Sequence, residues 1–366
     1  MPAERAFTST RVRRTRVASQ LLHRPRRMHA ETVVAHLVGV QAQQLGSAGL
    51  ALAARTNGLT EDAVTAARVE ERSIVLTWAM RGTLHLVTAE DFHTFVPLVT
   101  EPHVGRSLRR LREEGVLPGD VERACDLIER MLSRDGPLTR AEIAARLRRR
   151  RIRTDGQAIA HLVWLAAAQR GVSFGPDRGG ERTFVLARDW IGAPRRITDH
   201  DDALRELALR YVRSHAPATA DDFSAWSGLR LRDARKAWAA IAPHATHVRT
   251  PFGVMTSPRR RLVEAPAGDV RLVPDLDEYL LGWRDRGFAV PPEHRRDVNA
   301  GGGFVRPTVL RDGTAIATWR IDRTPSRVVL DVRSFNRPTA ATRRAVLAEA
   351  NRLKAFLQRS VDVSFD

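Results

Sequence analysis

Residues 73–87 read SIVLTWAMRGTLHLV, and this stretch decides the fold that the sequence predicts. In its first half every second side chain is apolar, namely Ile74, Leu76, Trp78 and Met80. The chain turns near Arg81-Gly82 and returns through Leu84 and Leu86. Alternation on both sides of a glycine turn predicts a β-hairpin. Helical patterns precede it, and helices followed by a hairpin are the outline of a winged helix.

The helices before this hairpin are predicted from apolar spacing. Residues 10–22 and 29–40 both carry apolar side chains at helical intervals. The chain breaks after the second of them, and Ser47 is a candidate N-cap for a third helix. Asn57-Gly58 is the matching candidate C-cap.

A weak internal repeat extends this outline along the chain. Residues 136–147 read GPLTRAEIAARL, and residues 216–229 read APATADDFSAWSGL, 80 positions later. In both, a threonine is placed to cap a helix whose third position is acidic. The pairs are Thr139 with Glu142 and Thr219 with Asp222. A second helical pattern and a hairpin pattern follow each copy, so we expect three tandem winged helices.

The composition changes near Leu262, where strand patterns begin. A hairpin turn is predicted at Asp312-Gly313, and a last helix at 340–358. A small barrel or a sandwich fits these strands. We therefore expect a mainly helical α+β protein with a C-terminal β-barrel. The predicted domains are winged helix one at 1–110, winged helix two at 111–195, winged helix three at 196–262, and the barrel with its helix at 263–366.

Charge is the strongest bulk signal. The chain has 366 residues, with 60 Lys and Arg against 42 Asp and Glu, a formal net charge of +18. Such a field attracts polyanions such as nucleic acid or anionic lipid. Lysine occurs only at Lys236 and Lys354, so a GC-rich genome that favours arginine codons explains part of the bias. That bias does not require excess positive charge, and we expect nucleic-acid contact.

Several classes of protein are disfavoured. No apolar run reaches the ~20 residues of a membrane span, and the first residues lack the apolar segment of a signal peptide. The single cysteine, Cys125, lies in a helical pattern and is interpreted as a buried thiol. Histidines do not show metal-ligand spacing, and His85 in the hairpin is interpreted as structural. We expect a cytoplasmic protein without metal or other cofactor.

Acidic residues cluster in DLDEY, where Asp275, Asp277 and Glu278 follow a strand pattern. Two hypotheses fit this cluster. The carboxylates form a glycosidase-type pair, or they either cap the strand end or form an ion pair with Arg284 or Arg286. The second hypothesis is favoured, because caps and ion pairs are the commoner use of such residues.

The pair Gln41 and Gln43, separated by Ala42, is unusual at the end of an apolar run. A buried glutamine is costly because its amide has four hydrogen-bonding positions to satisfy. From the residues alone, the two amides either cap a helix C-terminus or form part of a site.

Four stretches together resemble the bacterial winged-helix DNA glycosylases of the AlkZ-like, azinomycin-resistance type. They are VQAQ at 40–43, TWAMRGTLHLV at 77–87, PDLDEYLLGWRDR at 274–286 and GGFVRPTVLRDGTAIATW at 302–319. The resemblance runs from about residue 10 to the C-terminus. It implies three tandem winged helices and a β-barrel around a concave, C-shaped DNA channel.

The resemblance also implies a catalytic motif of two glutamines, which falls on Gln41 and Gln43. A housekeeping branch has Asp at the second position, so Gln43 indicates the antibiotic self-resistance branch. The implied activity is monofunctional excision of bulky N7-alkylguanine from double-stranded DNA. A water held by the two amides attacks C1′, and the alkylated base is already cationic and leaves readily. The implied role is protection of a producer against its own alkylating, DNA-intercalating product.

Residues that contact DNA are expected around the C-terminal hairpins. They are Arg284, Arg286, Arg295, Arg296, Asn299, Gly302 and Phe304. The segment NAGGGF combines flexible residues with one apolar side chain, which fits a loop that enters a groove or a tight turn of the barrel. We expect a nucleoid-associated monomer without a membrane partner. The alternative is a non-catalytic DNA-binding regulator built from winged helices, which needs neither the glutamine pair nor the barrel.

Overall fold

The structure, a computed structural model, describes residues 6–23, 26–194, 199–259, 262–324 and 327–366. Contacts between Cα atoms divide the chain into two compact units. The first unit comprises Met1–Val64, Arg205–Trp226 and Leu231–Asp366, and the second comprises Thr65–Leu204 and Ser227–Arg230.

The N-terminal part alternates helices with very short strands. The elements are α1 Ser9–Ser19, β1 Arg26–Arg27, α2 Ala30–Leu37, β2 Val40–Gln41, α3 Leu45–Ala53, β3 Thr56–Asn57 and α4 Glu61–Val69. The Thr8 hydroxyl accepts from the Arg11 N–H and caps α1. The caps predicted for α3 are wrong. Because α3 begins two residues before Ser47, the Ser47 hydroxyl lies inside the helix and donates to Asp275 instead.

The decisive hairpin is confirmed. Strands β4 Ile74–Trp78 and β5 Leu84–Thr88 pair antiparallel around a 3₁₀ turn at Met80–Gly82. Arg81 and Gly82 have φ values of 59° and 72°, so the turn uses the left-handed conformation that glycine adopts without strain. The long helix α5 Ala89–Glu113 follows directly and is capped by the Thr88 hydroxyl.

Residues 118–190 follow the order that the first repeat copy predicts. The elements are α6 Pro118–Asp135, β6 Leu138–Thr139, α7 Arg140–Arg149, α8 Ala158–Arg170, β7 Val172–Phe174, β8 Thr183–Leu186 and α9 Ala187–Trp190. Thr139 and Glu142 form a capping box at the start of α7. The strands form a sheet of order β6-β8-β7. Trp78 of the preceding hairpin packs against Phe174, with ring centroids 4.8 Å apart.

The second repeat copy behaves in the same way. Its region contains α10 His200–His215, α11 Ala220–Ser227, α12 Leu231–Ala240, a 3₁₀ turn at Ala242–His244, β9 Ala245–Thr250 and β10 Gly253–Pro258. The Thr219 N–H donates to the Asp222 carboxylate, and the Asp222 N–H donates to the Thr219 hydroxyl. Both predicted capping pairs are therefore present, each before a second helix and a hairpin.

The C-terminal part is rich in strands. The elements are β11 Val270–Val273, α13 Glu278–Leu281, a 3₁₀ turn at Pro292–His294, α14 Arg295–Val298, β12 Asn299–Gly301, β13 Phe304–Val305, β14 Thr308–Arg311, β15 Thr314–Arg323, β16 Val328–Ser334, α15 Ala340–Leu357 and β17 Val361–Phe365. The turn predicted at Asp312-Gly313 joins β14 to β15.

The predicted closed β-barrel is not found among the described residues. Five strands form an open sheet of order β11-β14-β15-β16-β17, in which only β16 and β17 are parallel. Strands β11 and β17 are its edges. Helix α15 contacts both of these edge strands. The helix thus contacts both of the strands that would have to pair with each other if the sheet closed into a barrel.

Candidate active site and nucleic-acid interface

The two predicted catalytic glutamines lie just beyond the end of α2. Val38, in the left-handed conformation with φ of 67°, is the C-cap of this helix, so neither glutamine occupies that position. Gln41 belongs to strand β2 and is 9% exposed, whereas Gln43 is exposed. Ala42 between them is fully buried. The small side chain of Ala42 therefore packs in the interior, and the two glutamines on either side of it differ in exposure.

A buried carboxylate holds the backbone of this segment. The Gln41 N–H donates to Oε1 of Glu278 at 3.2 Å, and the indole N–H of Trp226 donates to Oε2 of the same carboxylate at 3.1 Å. Glu278 is 1% exposed. Burying a carboxylate is costly unless its oxygens are hydrogen-bonded. The position of Gln41 is therefore coupled to a charged group from a distant part of the sequence.

The neighbouring Asp277 forms a fully buried ion pair with Arg55. Nη1 of Arg55 lies 2.7 Å from Oδ2 of Asp277, and Nη2 lies 2.8 Å from Oδ1. Both side chains have no exposed area. Asp277 also accepts from the Tyr279 N–H and caps α13. Asp277 thus has a capping and ion-pairing role, but it caps helix α13 rather than the strand end, and its cation is Arg55 rather than Arg284 or Arg286. Held in this pair, Asp277 is not available as a glycosidase-type carboxylate.

Four of the seven predicted DNA-binding residues surround one cavity of about 230 Å³. It is lined by Arg284, Asp285, Arg286, Gly287, Val290, Arg295 and Asn299. The guanidinium of Arg284 is 2.9 Å from Asp221 and remains 70% exposed. Arg286 donates its Nε–H to the Leu280 carbonyl, and partial burial lowers its pKa. Oδ1 of Asn299 is buried without a hydrogen-bond partner among the described residues.

The other three predicted DNA-binding residues lie close by in sequence. Arg296 lines a second cavity of about 390 Å³, together with Arg306 and Arg333, two arginines that were not among the predicted residues. Gly302 lies in the turn between β12 and β13, and Phe304 is 52% exposed at the start of β13. Glycines 301, 302 and 303 have φ values of 91°, 57° and 85°. The predicted hairpin is therefore present, with an exposed aromatic side chain at its turn.

Titratable side chains outside this region do not suggest other chemistry. Cys125 is buried, and burial raises the pKa of its thiol to about 12. His85 is fully buried, and burial lowers its pKa to about 3, with a further contribution from Arg81. In the described residues no group of three or more His, Cys, Asp or Glu is arranged to hold a metal ion. Within the same residues no helix has the length and apolar character needed to cross a membrane.

Comparison with known proteins identifies relatives along most of the chain. The model of a family described as DNA glycosylase AlkZ-like matches residues 34–356. A curated protein of Streptomyces sahachiroi, named interstrand DNA cross-link repair glycosylase, is 30% identical over 326 residues, covering 84% of this chain and 86% of that protein. The solved structure of Streptomyces sahachiroi DNA glycosylase AlkZ matches with a TM-score of 0.84 at 25% identity. That match covers 99% of this chain and 100% of the other.

Proposed function

Because the chain belongs to the AlkZ-like DNA glycosylase family and is a DNA glycosylase, we propose that it excises bulky N7-alkylguanine adducts from duplex DNA, with Gln41 and Gln43 as its catalytic residues. Family membership decides against the non-catalytic regulator. The producer's own DNA-alkylating compound is the proposed source of the adducts. The winged-helix domain scheme remains part of this proposal.

The chemistry of the leaving group explains why neutral amides suffice. Alkylation at N7 makes guanine cationic, so the base leaves as a neutral molecule when the bond between N9 and C1′ breaks and its electron pair goes to N9. The sugar becomes oxocarbenium-like, the water oxygen bonds to C1′, and one water proton passes to solvent. Neither a strong acid nor a covalent nucleophile is needed, and an abasic site remains.

Gln41 and Gln43 are proposed to orient that water. Their carbonyl oxygens accept its two hydrogens and direct negative dipole ends toward the positive charge that develops at C1′. The observation that carries this assignment is the anchoring of the Gln41 backbone on the buried carboxylate of Glu278. A rigidly held backbone is what a positioned dipole requires, because a shift of about 1 Å costs about a hundredfold in rate.

The cavity of about 230 Å³ is the proposed DNA contact of the first unit, and it is called the cavity lined by arginines. Arg284, Arg286 and Arg295 supply guanidinium groups that match phosphate geometry. Phe304 is the apolar side chain proposed to enter a groove beside the lesion. A bulky adduct fits poorly in a snug pocket that receives a flipped base. Recognition in the duplex is therefore the proposed mode.

Single-turnover excision from DNA that carries defined N7-guanine adducts tests this function, with mass spectrometry of the released bases. One substrate contains an interstrand cross-link, because the Streptomyces sahachiroi relative is named as an interstrand DNA cross-link repair glycosylase. Gln41→Ala and Gln43→Ala are each expected to lower the rate about a hundredfold, corresponding to ~3 kcal/mol, with DNA affinity nearly unchanged. The double variant loses less than the sum if both amides hold one water.

Gln44→Ala is the matched control. Gln44 is exposed, lies one residue beyond the motif, and makes no side-chain cap for α3. Gln43→Asp is expected to keep part of the activity, because a carboxylate still accepts from the water. Thermal melting accompanies every variant. If Gln41→Ala and Gln43→Ala both excise at the wild-type rate, these residues are not catalytic. If the wild-type protein releases no N7-alkylated base, the proposed substrate class is wrong.

A further inference from the structure

Many arginines of the second unit, exposed and half-buried alike, are committed to ion pairs with nearby carboxylates. Examples are Arg134 with Asp135, Arg146 with Asp135, Arg170 with Glu122 and Asp126, Arg178 with Glu142, and Arg188 with Glu129. An arginine in such a pair already has its charge compensated locally. These residues contribute to the net charge but little to the attraction of a polyanion.

Residues 148–153 differ. Arg148, Arg149, Arg150, Arg151 and Arg153 are all exposed, and none of them forms an ion pair with another described residue. The sequence contains no Asp or Glu between Glu142 and Asp155. We call these five residues the arginine cluster. It concentrates uncompensated positive charge at the C-terminal end of α7 and in the turn that follows.

Two apolar side chains fix the backbone of the cluster. Leu147 and Ile152 are 0% and 1% exposed. The Ile152 N–H donates to the Leu147 carbonyl, and the Arg151 N–H donates to the Arg148 carbonyl. This pair of hydrogen bonds is the Schellman closure of a helix, a motif that usually has apolar side chains at these two positions. The arginines are thus carried on an ordered turn rather than on a mobile loop.

Arg151 occupies the one position of this closure where glycine is favoured. Its φ is 60°, in the left-handed region. A side chain with a Cβ is strained there, and natural helices usually place glycine at this point. Strain of this kind is retained where the residue serves a function other than stability. The site therefore keeps an arginine at a position where glycine would fit with less strain.

We propose that the arginine cluster binds the phosphate backbone of duplex DNA and forms a contact separate from the cavity lined by arginines in the first unit. The inference rests on the proposed binding of duplex DNA, but not on the adduct or on the two glutamines. Guanidinium groups on an ordered turn bind phosphate oxygens in bidentate fashion without reading bases. The cluster therefore holds the protein on DNA of any sequence.

The competing explanation is local. Arg148 and Arg149 lie in the last turn of α7, where positive charge interacts favourably with the helix dipole. That explanation predicts lower stability on their removal and unchanged DNA binding. It does not account for Arg151, whose replacement by glycine relieves strain.

The test measures binding of the full chain to an undamaged duplex across a salt series. The variant Arg148→Ala/Arg149→Ala/Arg151→Gly is compared with Arg134→Ala/Arg178→Ala/Arg188→Ala, which removes the same charge from paired arginines. The slope of log K against log salt is expected to fall by about 0.9 for each phosphate that the first variant no longer neutralises. The second variant is expected to keep the wild-type slope. Arg151→Gly alone is expected to weaken binding without lowering the melting temperature.

If the two triple variants weaken DNA binding equally, only the net charge of the protein matters. If the cluster variant binds DNA as tightly as the wild type, the helix-dipole explanation is the correct one. Either result overturns the proposal. Undamaged DNA carries the binding test, so its outcome is independent of whether N7-alkylguanine is the substrate.

Discussion

Glu278 and Gln41 are 237 positions apart in sequence, and the Glu278 carboxylate accepts the Gln41 backbone N–H at 3.2 Å. The other carboxylate oxygen accepts from Trp226. The backbone before the proposed water-binding amides is therefore fixed by a charged side chain from another part of the first unit. This arrangement makes Glu278 a positioning residue.

Replacement of Glu278 is expected to lower the excision rate more than DNA binding. Glu278→Ala removes the carboxylate that accepts from the Gln41 N–H and the Trp226 indole, and it releases the Gln41 backbone. Glu278→Gln keeps one acceptor oxygen and should retain a larger share of the rate. The measurement is single-turnover excision at saturating DNA, well below the melting temperature of each variant.

Asp275→Ala is the matched control for Glu278. Its carboxylate also accepts a tertiary hydrogen bond, from Ser47, but that bond does not hold Gln41. If Asp275→Ala and Glu278→Gln slow excision equally, or if Glu278→Gln changes only DNA affinity, the positioning role is wrong.

Loss of the buried Arg55–Asp277 pair is expected to be strongly destabilising. Removing one partner leaves an uncompensated charge among fully buried atoms, which typically costs 3–5 kcal/mol. Asp277→Ala should therefore lower the free energy of unfolding by about this amount in a denaturant titration. Arg55→Met/Asp277→Leu should lose less than the sum of the single replacements. Additive effects would show that the two side chains act independently.

Phe304→Ser is expected to slow excision without lowering the melting temperature. The phenyl ring is 52% exposed, so the folded state gains little from it, whereas a groove contact would bury it. Phe252→Ser is the control, because Phe252 is 43% exposed in the turn between β9 and β10. Equal excision rates for the wild type and Phe304→Ser would assign the hairpin to structure alone.

Stability is expected to fall as the pH drops below 6.5. Burial lowers the pKa of His85 to about 3 and that of His215 well below its usual value. The folded state thus binds fewer protons than the unfolded state below pH 6.5, which costs about 1.4 kcal/mol per pH unit for each histidine. Melting temperatures measured between pH 7 and 5 should show this decline.

His85→Gln should flatten that decline, since glutamine does not titrate. His247→Gln, at an exposed position, is the control and should keep the wild-type slope. A melting temperature of the wild type that is independent of pH in this window would contradict the burial of neutral histidines.

Local structure could be predicted from the sequence. The hairpin at 74–88, both capping pairs and the order of helices and hairpins follow from spacing and from hydrogen bonds within a few residues. The motif resemblance also indicated the family, because motifs are contiguous. The positions of Gln41 and Gln43 as site candidates came from the same source, and their catalytic role stays a prediction.

Tertiary structure alone decided which distant groups meet. Periodicity does not show that Glu278 holds Gln41, that Asp277 pairs with Arg55 rather than Arg284, or that α15 lies against both edges of an open sheet. The same holds for the arginines, because composition gives a net charge of +18 but not which guanidinium groups are paired. The physical reason is that a buried charge or a sheet edge is satisfied by whichever partner packing brings near, and that partner is unrelated to distance along the chain.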